Sequence, residues 1–318
     1  LAAGIGMLIG TIWFLVRSHT MGNIGMPPKV KAERNRLAIK DWISILIYVI
    51  AVVALVFGII IGWGIIPSGV STTIIYIVGI GGVLYLVLNI VKGTSGKTEW
   101  SRVVVILILA VFNIFFWSGF EQAGTTFNVF ARDNTQRLIG NWEIPASWFQ
   151  SINAMYIVIF APIFSILWVK LDKKGLNPNT PMKFAWGMFL LALGFVAMAI
   201  AFSKSEGSGQ LLLVSPMWLA MVYLLHTFGE LCLSPIGLSM VTKLSPPKLV
   251  STMMGVWLGS FAAGNFVASQ MKAISLSLTD SLGAEIQVFW LIAIQSGIIA
   301  LILLILSPWL KRMMHGIK

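Results

Sequence analysis

The chain has 318 residues, of which 58% are hydrophobic and only 10% are charged, and its mean hydropathy is +0.90. Because a soluble globular protein carries charges on about 25% of its residues, this composition excludes a water-soluble globular protein and indicates an integral membrane protein. The single cysteine, Cys232, excludes a disulfide within the chain, and no Cys/His pair has the spacing of a zinc site, so neither a disulfide scaffold nor a metal site is expected.

Apolar runs long enough to cross a bilayer recur along the sequence. A helix needs about 20 apolar residues to span the hydrocarbon, and inside lipid its backbone groups must be paired within the protein. Leu1 lies within such a run, so we expect residues 1–16 to be the end of the last helix of an N-terminal bundle in a longer protein, and not a signal peptide. Eight complete spans are predicted, at about 42–66, 72–91, 103–130, 148–169, 184–203, 214–241, 251–273 and 286–309.

The distribution of polar residues predicts three further parts. Residues 17–41 contain Pro27, Pro28 and a series of bases, which is typical of a basic cytoplasmic linker. Residues 42–102 predict an inserted transmembrane hairpin followed by a linker, because both spans lack charged residues. Residues 103–318 contain the polar intramembrane residues and predict an all-α, six-helix C-terminal bundle. We expect its partner to be an N-terminal bundle of the same protein.

The basic residues predict the orientation in the membrane. When the spans are threaded alternately through the bilayer, only Arg132, Arg137, Lys204 and Lys272 of the 22 Lys and Arg residues fall on one side. Basic residues accumulate in cytoplasmic loops, so the side that holds the other bases is predicted to be cytoplasmic, together with the C-terminus. This sorting accounts for most of the net charge of +11, so no nucleic-acid partner is expected.

Two carboxylates lie within predicted spans. A charge near the bilayer centre costs at least ~2.5 kcal/mol, so such residues usually face a cavity and have a function there. Glu230 lies near the middle of span 214–241, and Glu121 lies in the outer half of span 103–130. The alternative for each is an ion pair that only fixes helix packing. His226 could extend a proton path, although a neutral histidine bonded to a neighbouring helix is the simpler interpretation.

Each carboxylate has polar or small neighbours at helical spacing, which predicts a wet cavity. The residues spaced around Glu121 are Trp117, Gly124, Thr125 and Asn128, and those around Glu230 are Tyr223, His226, Thr227, Ser234 and Gly237.

Span 251–273 has a different pattern. Small residues recur at about four-residue spacing, which predicts close helix packing. Trp257 lies on the same span, where a tryptophan is more often a packing residue than a ligand contact. Asn153, in span 148–169, carries an amide that needs a partner inside the membrane. The small residues are Gly255, Gly259, Ser260 and Gly264.

Four segments carry a family resemblance. The pattern Tyr223-x5-Gly229-Glu230-x4-Pro235-x-Gly237 resembles the tenth core helix of the proton-dependent oligopeptide transporter family, a branch of the major facilitator superfamily. The segment 116–122, FWSGFEQ, is similar to its seventh helix. The segment 172–175, DKKG, resembles the short cytoplasmic motif of the superfamily, and the hairpin resembles the insertion of bacterial members.

The resemblance implies a role for individual residues. Glu230 would receive the amino terminus of a peptide, with Asn153 and Ser234 assisting by hydrogen bonds. Trp117 and Trp257 would line side-chain pockets. Glu121 would be a proton-linked carboxylate that pairs with an arginine of the first helix, and Glu230 would share in proton coupling. The coupling ion would be H⁺, and no cofactor is implied.

The resemblance and the residues together predict a proton-coupled symporter of di- and tripeptides in the bacterial inner membrane. Desolvation disfavours an ionised carboxylate and a nearby cation favours it, so proton occupancy can follow the presence of a substrate. Alternating access would move a site between two bundles. Two alternatives remain open: transport of another small solute such as nitrate, and ligand sensing without transport. An enzyme is not expected, because the sequence has no HExxH or GxSxG pattern.

Overall fold

The described residues of the computed structural model are 2–17, 43, 46, 68–206, 212–282 and 287–317, and they are mostly helical. The α-helices among them are α1 Ala2–Arg17, α2 Ser68–Gly93, α3 Gly96–Phe120, α4 Thr126–Asp133, α5 Ser151–Lys173, α6 Thr180–Glu206, α7 Met217–Leu244, α8 Val250–Leu282 and α9 Val288–Met313.

Residues 1–80 and 81–318 form two compact units. In the first unit the structure describes α1, where the Arg17 guanidinium carbon lies 5.2 Å from the centre of the Trp13 ring, and the start of α2. Helix α2 contains the predicted span 72–91. Apart from residues 43 and 46, the predicted span 42–66 lies outside the described residues, as does nearly all of the predicted linker 17–41, so both interpretations stay predictions.

The second unit contains the predicted six-helix bundle, which is confirmed. Among the described residues, Gly96–Asp133, Ala146–Lys173 and helices α6, α7 and α9 are long and apolar enough to cross a membrane. Helix α8 contains the predicted span 251–273 but continues to Leu282. Its glycines and serines dilute its apolar content, as expected for a helix that packs through small residues.

Helix α6 is the centre of this bundle. It packs mainly against α7 on one side and α9 on the other, while α3 packs against α8. The core between them is rich in phenylalanine: the ring of Phe127 lies 5.4 Å from that of Phe195 and 6.1 Å from that of Phe289. Helix α5 is peripheral, because none of its residues is buried and its main helical neighbour is α7.

The predicted span 103–130 lies within the apolar segment Gly96–Asp133, but this segment is not one regular α-helix. Helix α3 ends at Phe120, a 3₁₀ turn covers Glu121–Gly124, and α4 begins at Thr126. Hydropathy detects an apolar run but not a local change in winding.

A short hairpin leads from α4 to α5. Strands β1, Leu138–Ile139, and β2, Trp142–Glu143, pair antiparallel around Gly140, whose φ of 61° is in the left-handed region that glycine tolerates. The Arg137 Nη2 atom lies 2.6 Å from the Glu143 carboxylate of β2. It also donates a hydrogen bond to the Arg132 carbonyl oxygen at 3.3 Å, which connects the hairpin to the end of α4. A 3₁₀ turn over Ala146–Gln150 then starts α5, which places Asn153 in its first turn.

Helices α6 and α7 approach each other most closely at two glycines. A Cβ atom added to Gly187 would lie 2.9 Å from the carbonyl oxygen of Gly229, and one added to Gly229 would lie 2.8 Å from the carbonyl oxygen of Gly187. Backbone atoms cannot yield as a flexible side chain does. This contact therefore requires glycine on both helices, and it fixes the position of α7 one residue before Glu230.

We predict that Gly187→Ala destabilises the complete protein by about 1–3 kcal/mol, because the added methyl group overpacks a backbone contact. Gly297→Ala in α9 is the matched control, since a Cβ atom there would meet nothing within 4 Å. The measurement is thermal unfolding of the purified protein in detergent. Equal unfolding temperatures for the two variants would show that α6 and α7 are not tightly packed at these glycines.

Candidate functional site

Glu230 and Asn153, predicted to act together, are in contact. The Asn153 Nδ2 atom donates hydrogen bonds to Glu230 Oε2 at 3.2 Å and to Thr227 Oγ1 at 3.0 Å. The Thr227 hydroxyl in turn donates to the Tyr223 carbonyl oxygen at 2.7 Å. A single amide from α5 therefore joins two successive positions on one face of α7.

The Glu230 carboxylate keeps capacity for a further partner. It is half-buried, and within the described ranges of the chain it forms no ion pair. Asn153 accounts for one hydrogen bond to one oxygen, whereas an ionised carboxylate can accept several. Ser234, also half-buried, lies one turn later on the same helical face. The arrangement can therefore receive a cationic donor.

Glu121 is placed differently from the prediction. It is half-buried and begins the 3₁₀ turn after α3. Because a 3₁₀ helix has 3.0 residues per turn and not 3.6, the spacing to Asn128 no longer defines one face. Trp117, Gly124, Thr125 and Asn128 therefore do not form one α-helical stripe, although each of them is half-buried or exposed, and the predicted wet cavity stays a prediction. The role of Glu121 in proton coupling stays a prediction.

Gln122, which sequence reasoning missed, is the residue that stabilises this turn. It is 1% exposed, and its Nε2 atom donates to the carbonyl oxygens of Ser118 at 3.1 Å and of Ala268 at 3.0 Å. Its Oε1 atom accepts from the hydroxyls of Thr125 at 3.2 Å and Thr126 at 3.0 Å. All of its hydrogen-bonding groups are used, so it supports the turn and connects it to α8. The signal in the sequence was a second polar side chain directly beside Glu121.

Trp117 lies at the contact between α3 and α8. Its indole N–H donates to Asn113 Oδ1 at 3.1 Å, and Asn113 Nδ2 donates to Ser260 Oγ at 2.7 Å. Its ring centre lies 4.6 Å from that of Phe261. Trp117 is half-buried, so part of the ring stays accessible.

The predicted small-residue stripe of α8 forms only part of this contact. A Cβ atom on Gly264 would lie 2.7 Å from Trp117 Cβ, whereas one on Gly255 or Gly259 would meet nothing within 4 Å. Ser260 contacts α3 through its hydroxyl, which accepts the bond from Asn113. Close packing through a small residue is therefore seen at Gly264, whereas Gly255 and Gly259 meet no described residue of this chain, and close packing there stays a prediction.

Trp257 is a core residue in this bundle. It is 0% exposed and packs against Gly237 of α7, and its ring centre lies 5.9 Å from that of Phe184 in α6. Glycine at position 237 leaves the space that the indole ring occupies. The proposed role of Trp257 as a pocket wall stays a prediction, and its burial shows a packing role.

His226 is enclosed by aromatic rings. It is 1% exposed, and its ring centre lies 5.0 Å from that of Phe195 and 5.5 Å from that of Phe127. It also packs directly onto Gly194 of α6, where a Cβ atom would collide with the imidazole. These contacts support the interpretation of His226 as a buried packing residue between α6 and α7.

Comparison with known proteins agrees with the architecture. The model of the POT family matches residues 1–289. The chain is 34% identical to peptide transporter YePEPT of Yersinia enterocolitica subsp. palearctica, covering 98% of this chain and 62% of that protein. It is 28% identical to dipeptide and tripeptide permease B of Salmonella typhimurium, covering 98% and 62%.

Solved structures show the same similarity. The crystal structure of a peptide transporter POT in complex with sulfate aligns with a TM-score of 0.71 at 30% identity, covering 99% of this chain and 62% of that one. A POT family transporter in complex with 5-aminolevulinic acid aligns with a TM-score of 0.68 at 26% identity, covering 98% and 62%. The chain thus spans about three fifths of the length of these relatives, and the resemblance seen in the sequence is confirmed: the chain is an all-α, multi-pass membrane protein that belongs to the POT family.

Proposed function

We propose that the complete protein is a proton-coupled symporter of di- and tripeptides and that this chain supplies the C-terminal one of its two bundles. The contact between Asn153 and Glu230 is the observation that supports this best. It presents a half-buried carboxylate with spare hydrogen-bonding capacity inside an apolar bundle. A peptide ammonium group is a ligand of matching charge and donor geometry, and membership of a family with peptide-transporting relatives favours it over nitrate.

We infer that the two bundles would bind opposite ends of the peptide. Asn153 holds the Glu230 carboxylate by a neutral hydrogen bond, so the carboxylate can exchange a proton or an ammonium group without losing a fixed salt bridge. The carboxyl end of a peptide needs bases, which the N-terminal bundle would supply. Peptide and proton would then be released as the two bundles rock about the site between them.

We further propose that the protein lies in the bacterial inner membrane with its C-terminus in the cytoplasm. The bias of basic residues supports this orientation. Asn141, in the hairpin between α4 and α5, would face outward, and Lys174, at the end of α5, would face the cytoplasm.

We predict that a cysteine at Asn141 reacts with a membrane-impermeant maleimide added to intact cells and that a cysteine at Lys174 does not react until the membrane is opened. Both positions are exposed, and the native Cys232 is buried. The two variants therefore differ only in the side of the membrane on which the new cysteine would lie. The measurement is labelling before and after permeabilisation. Labelling of the Lys174 variant in intact cells would show that the orientation is the reverse of the proposed one.

We predict that Glu230→Gln weakens binding of an unmodified dipeptide by about tenfold or more, because a hydrogen bond between charged groups is worth roughly 1.5–3 kcal/mol. Glutamine keeps the size of the side chain and an oxygen for Asn153. The measurement is Kd for the dipeptide and for its N-acetylated form in the complete protein.

Acetylation provides the control, because it removes the ammonium group from the ligand. The wild type should lose affinity on acetylation, whereas the Glu230→Gln variant should bind both forms with similar weak affinity. If the variant still prefers the unmodified peptide as strongly as the wild type does, Glu230 is not the receptor for the ammonium group.

We predict that Glu121→Gln abolishes uphill peptide accumulation while it leaves peptide binding and exchange intact. Glutamine retains hydrogen bonding at the start of the 3₁₀ turn but cannot change charge, so a protonation step would be lost without a change in shape. The measurement compares proton-driven accumulation with exchange of labelled for unlabelled peptide in proteoliposomes. Glu206→Gln, at the exposed end of α6, is the control. Accumulation by the Glu121→Gln variant at the wild-type level would remove Glu121 from the coupling mechanism.

A further inference from the structure

A cleft that the proposed transport site does not use lies where three helices end or begin. It has a volume of about 520 Å³ and is bounded by the end of α5, the first turn of α6 and the second half of α7. On the predicted orientation it opens at the cytoplasmic boundary of the membrane. Its lining includes the polar side chains of Trp168, Asp172, Thr180, Lys183, Ser239 and Lys243.

Lys183 is the unusual residue of this cleft. Its side chain lines the cleft, yet the residue is only 8% exposed. Its ammonium nitrogen lies 4.4 Å from the centre of the Trp168 ring, and in the part of the chain that the structure describes no carboxylate forms an ion pair with it. A cation–π contact offsets only part of the cost of removing an ammonium group from water. The environment of Lys183 therefore favours an anionic partner.

Further donors surround the same space. The Trp168 indole nitrogen is buried and has no hydrogen-bond partner among the described residues. The ammonium group of Lys243 and the hydroxyls of Thr180 and Ser239 also line the cleft. Thr180 begins α6, so the positive end of the helix dipole adds to the attraction for an anion.

The carboxylate of Asp172 also lines the cleft and opposes the binding of an anion. Its Oδ1 atom accepts a hydrogen bond from Asn177 Nδ2 at 3.1 Å, which orients the carboxylate toward the loop that follows α5. Two ammonium groups, Lys183 and Lys243, line the cleft together with this carboxylate, and Lys243 also has an interaction of its own. The formal charges of these three side chains leave one positive charge in excess.

We propose that this cleft binds a phosphate group. A phosphate has several acceptor oxygens, which matches the Lys183 ammonium group, the Trp168 indole N–H and the hydroxyl donors that converge from three helices. Basic pockets between helices at the cytoplasmic boundary are typical binding sites for the phosphate of a lipid headgroup. Free inorganic phosphate offers the same chemistry, so the experiment separates the two sources.

The test measures thermal unfolding of the complete protein with two probes. In detergent, inorganic phosphate is titrated against chloride at constant ionic strength. In nanodiscs, phosphatidylcholine alone is compared with phosphatidylcholine plus phosphatidylglycerol. The wild type should be stabilised by phosphate, by phosphatidylglycerol or by both, and the effective probe identifies the source.

Lys183→Met should abolish this stabilisation, because it keeps the length of the side chain and removes its charge. Lys204→Met is the matched control: Lys204 lies at the other end of α6, with its ammonium nitrogen 5.1 Å from the centre of the Trp218 ring, but it is exposed. Trp168→Phe retains an aromatic ring under Lys183 and loses only the N–H. It should therefore weaken the apparent affinity for phosphate, taken from the titration, by about threefold to tenfold.

Three results would overturn the proposal. The first is a wild type that neither probe stabilises. The second is a response in Lys183→Met equal to that of Lys204→Met. The third is a structure of the complete protein in which Lys183 is paired with a carboxylate of the other bundle. If Lys183→Met cannot be purified, the responses of the wild type and of Trp168→Phe decide the question alone.

Discussion

The hydrogen bonds of the Asn153 amide connect the most loosely packed helix of the bundle to its core. Helix α5 buries none of its residues, whereas α6 and α7 are in backbone contact through Gly187 and Gly229. Inside a membrane an amide without a partner is costly, so Asn153 requires a partner on α7, and Thr227 and Glu230 provide it. The candidate site therefore joins a helix that has no buried residue among the described ones to the closely packed pair of α6 and α7.

The sequence predicted the helices well because their cause is local. Each span needs an apolar run of sufficient length, and that quantity can be counted without knowledge of the fold. The interruption at Glu121–Gly124 was not predictable in this way. It depends on Gln122 reaching the Ala268 carbonyl oxygen of α8, a contact between residues far apart in the chain.

The candidate site shows the same limit. The cost of a charge in a span identified Glu230 from the sequence, but its pairing with Asn153 came only from the family resemblance, since spacing along one helix cannot show which other helix lies beside it. Trp117 and Trp257 were indistinguishable as mid-span tryptophans. Their different burial arises from the glycine that faces each one: Gly237 admits the whole ring of Trp257, while Gly264 approaches only the Cβ atom of Trp117.

The two cation–π contacts of α6 have a mechanical consequence. Lys183 lies over Trp168 near the start of the helix, and Lys204 lies over Trp218 near its end. At 1.5 Å per residue these two lysines are separated by about 31 Å along the helix axis, close to the thickness of the hydrocarbon layer of about 30 Å. Tryptophan and lysine both favour the interface. The spacing of the two pairs therefore matches the thickness of the layer that α6 has to cross, which favours one depth of this helix in the bilayer.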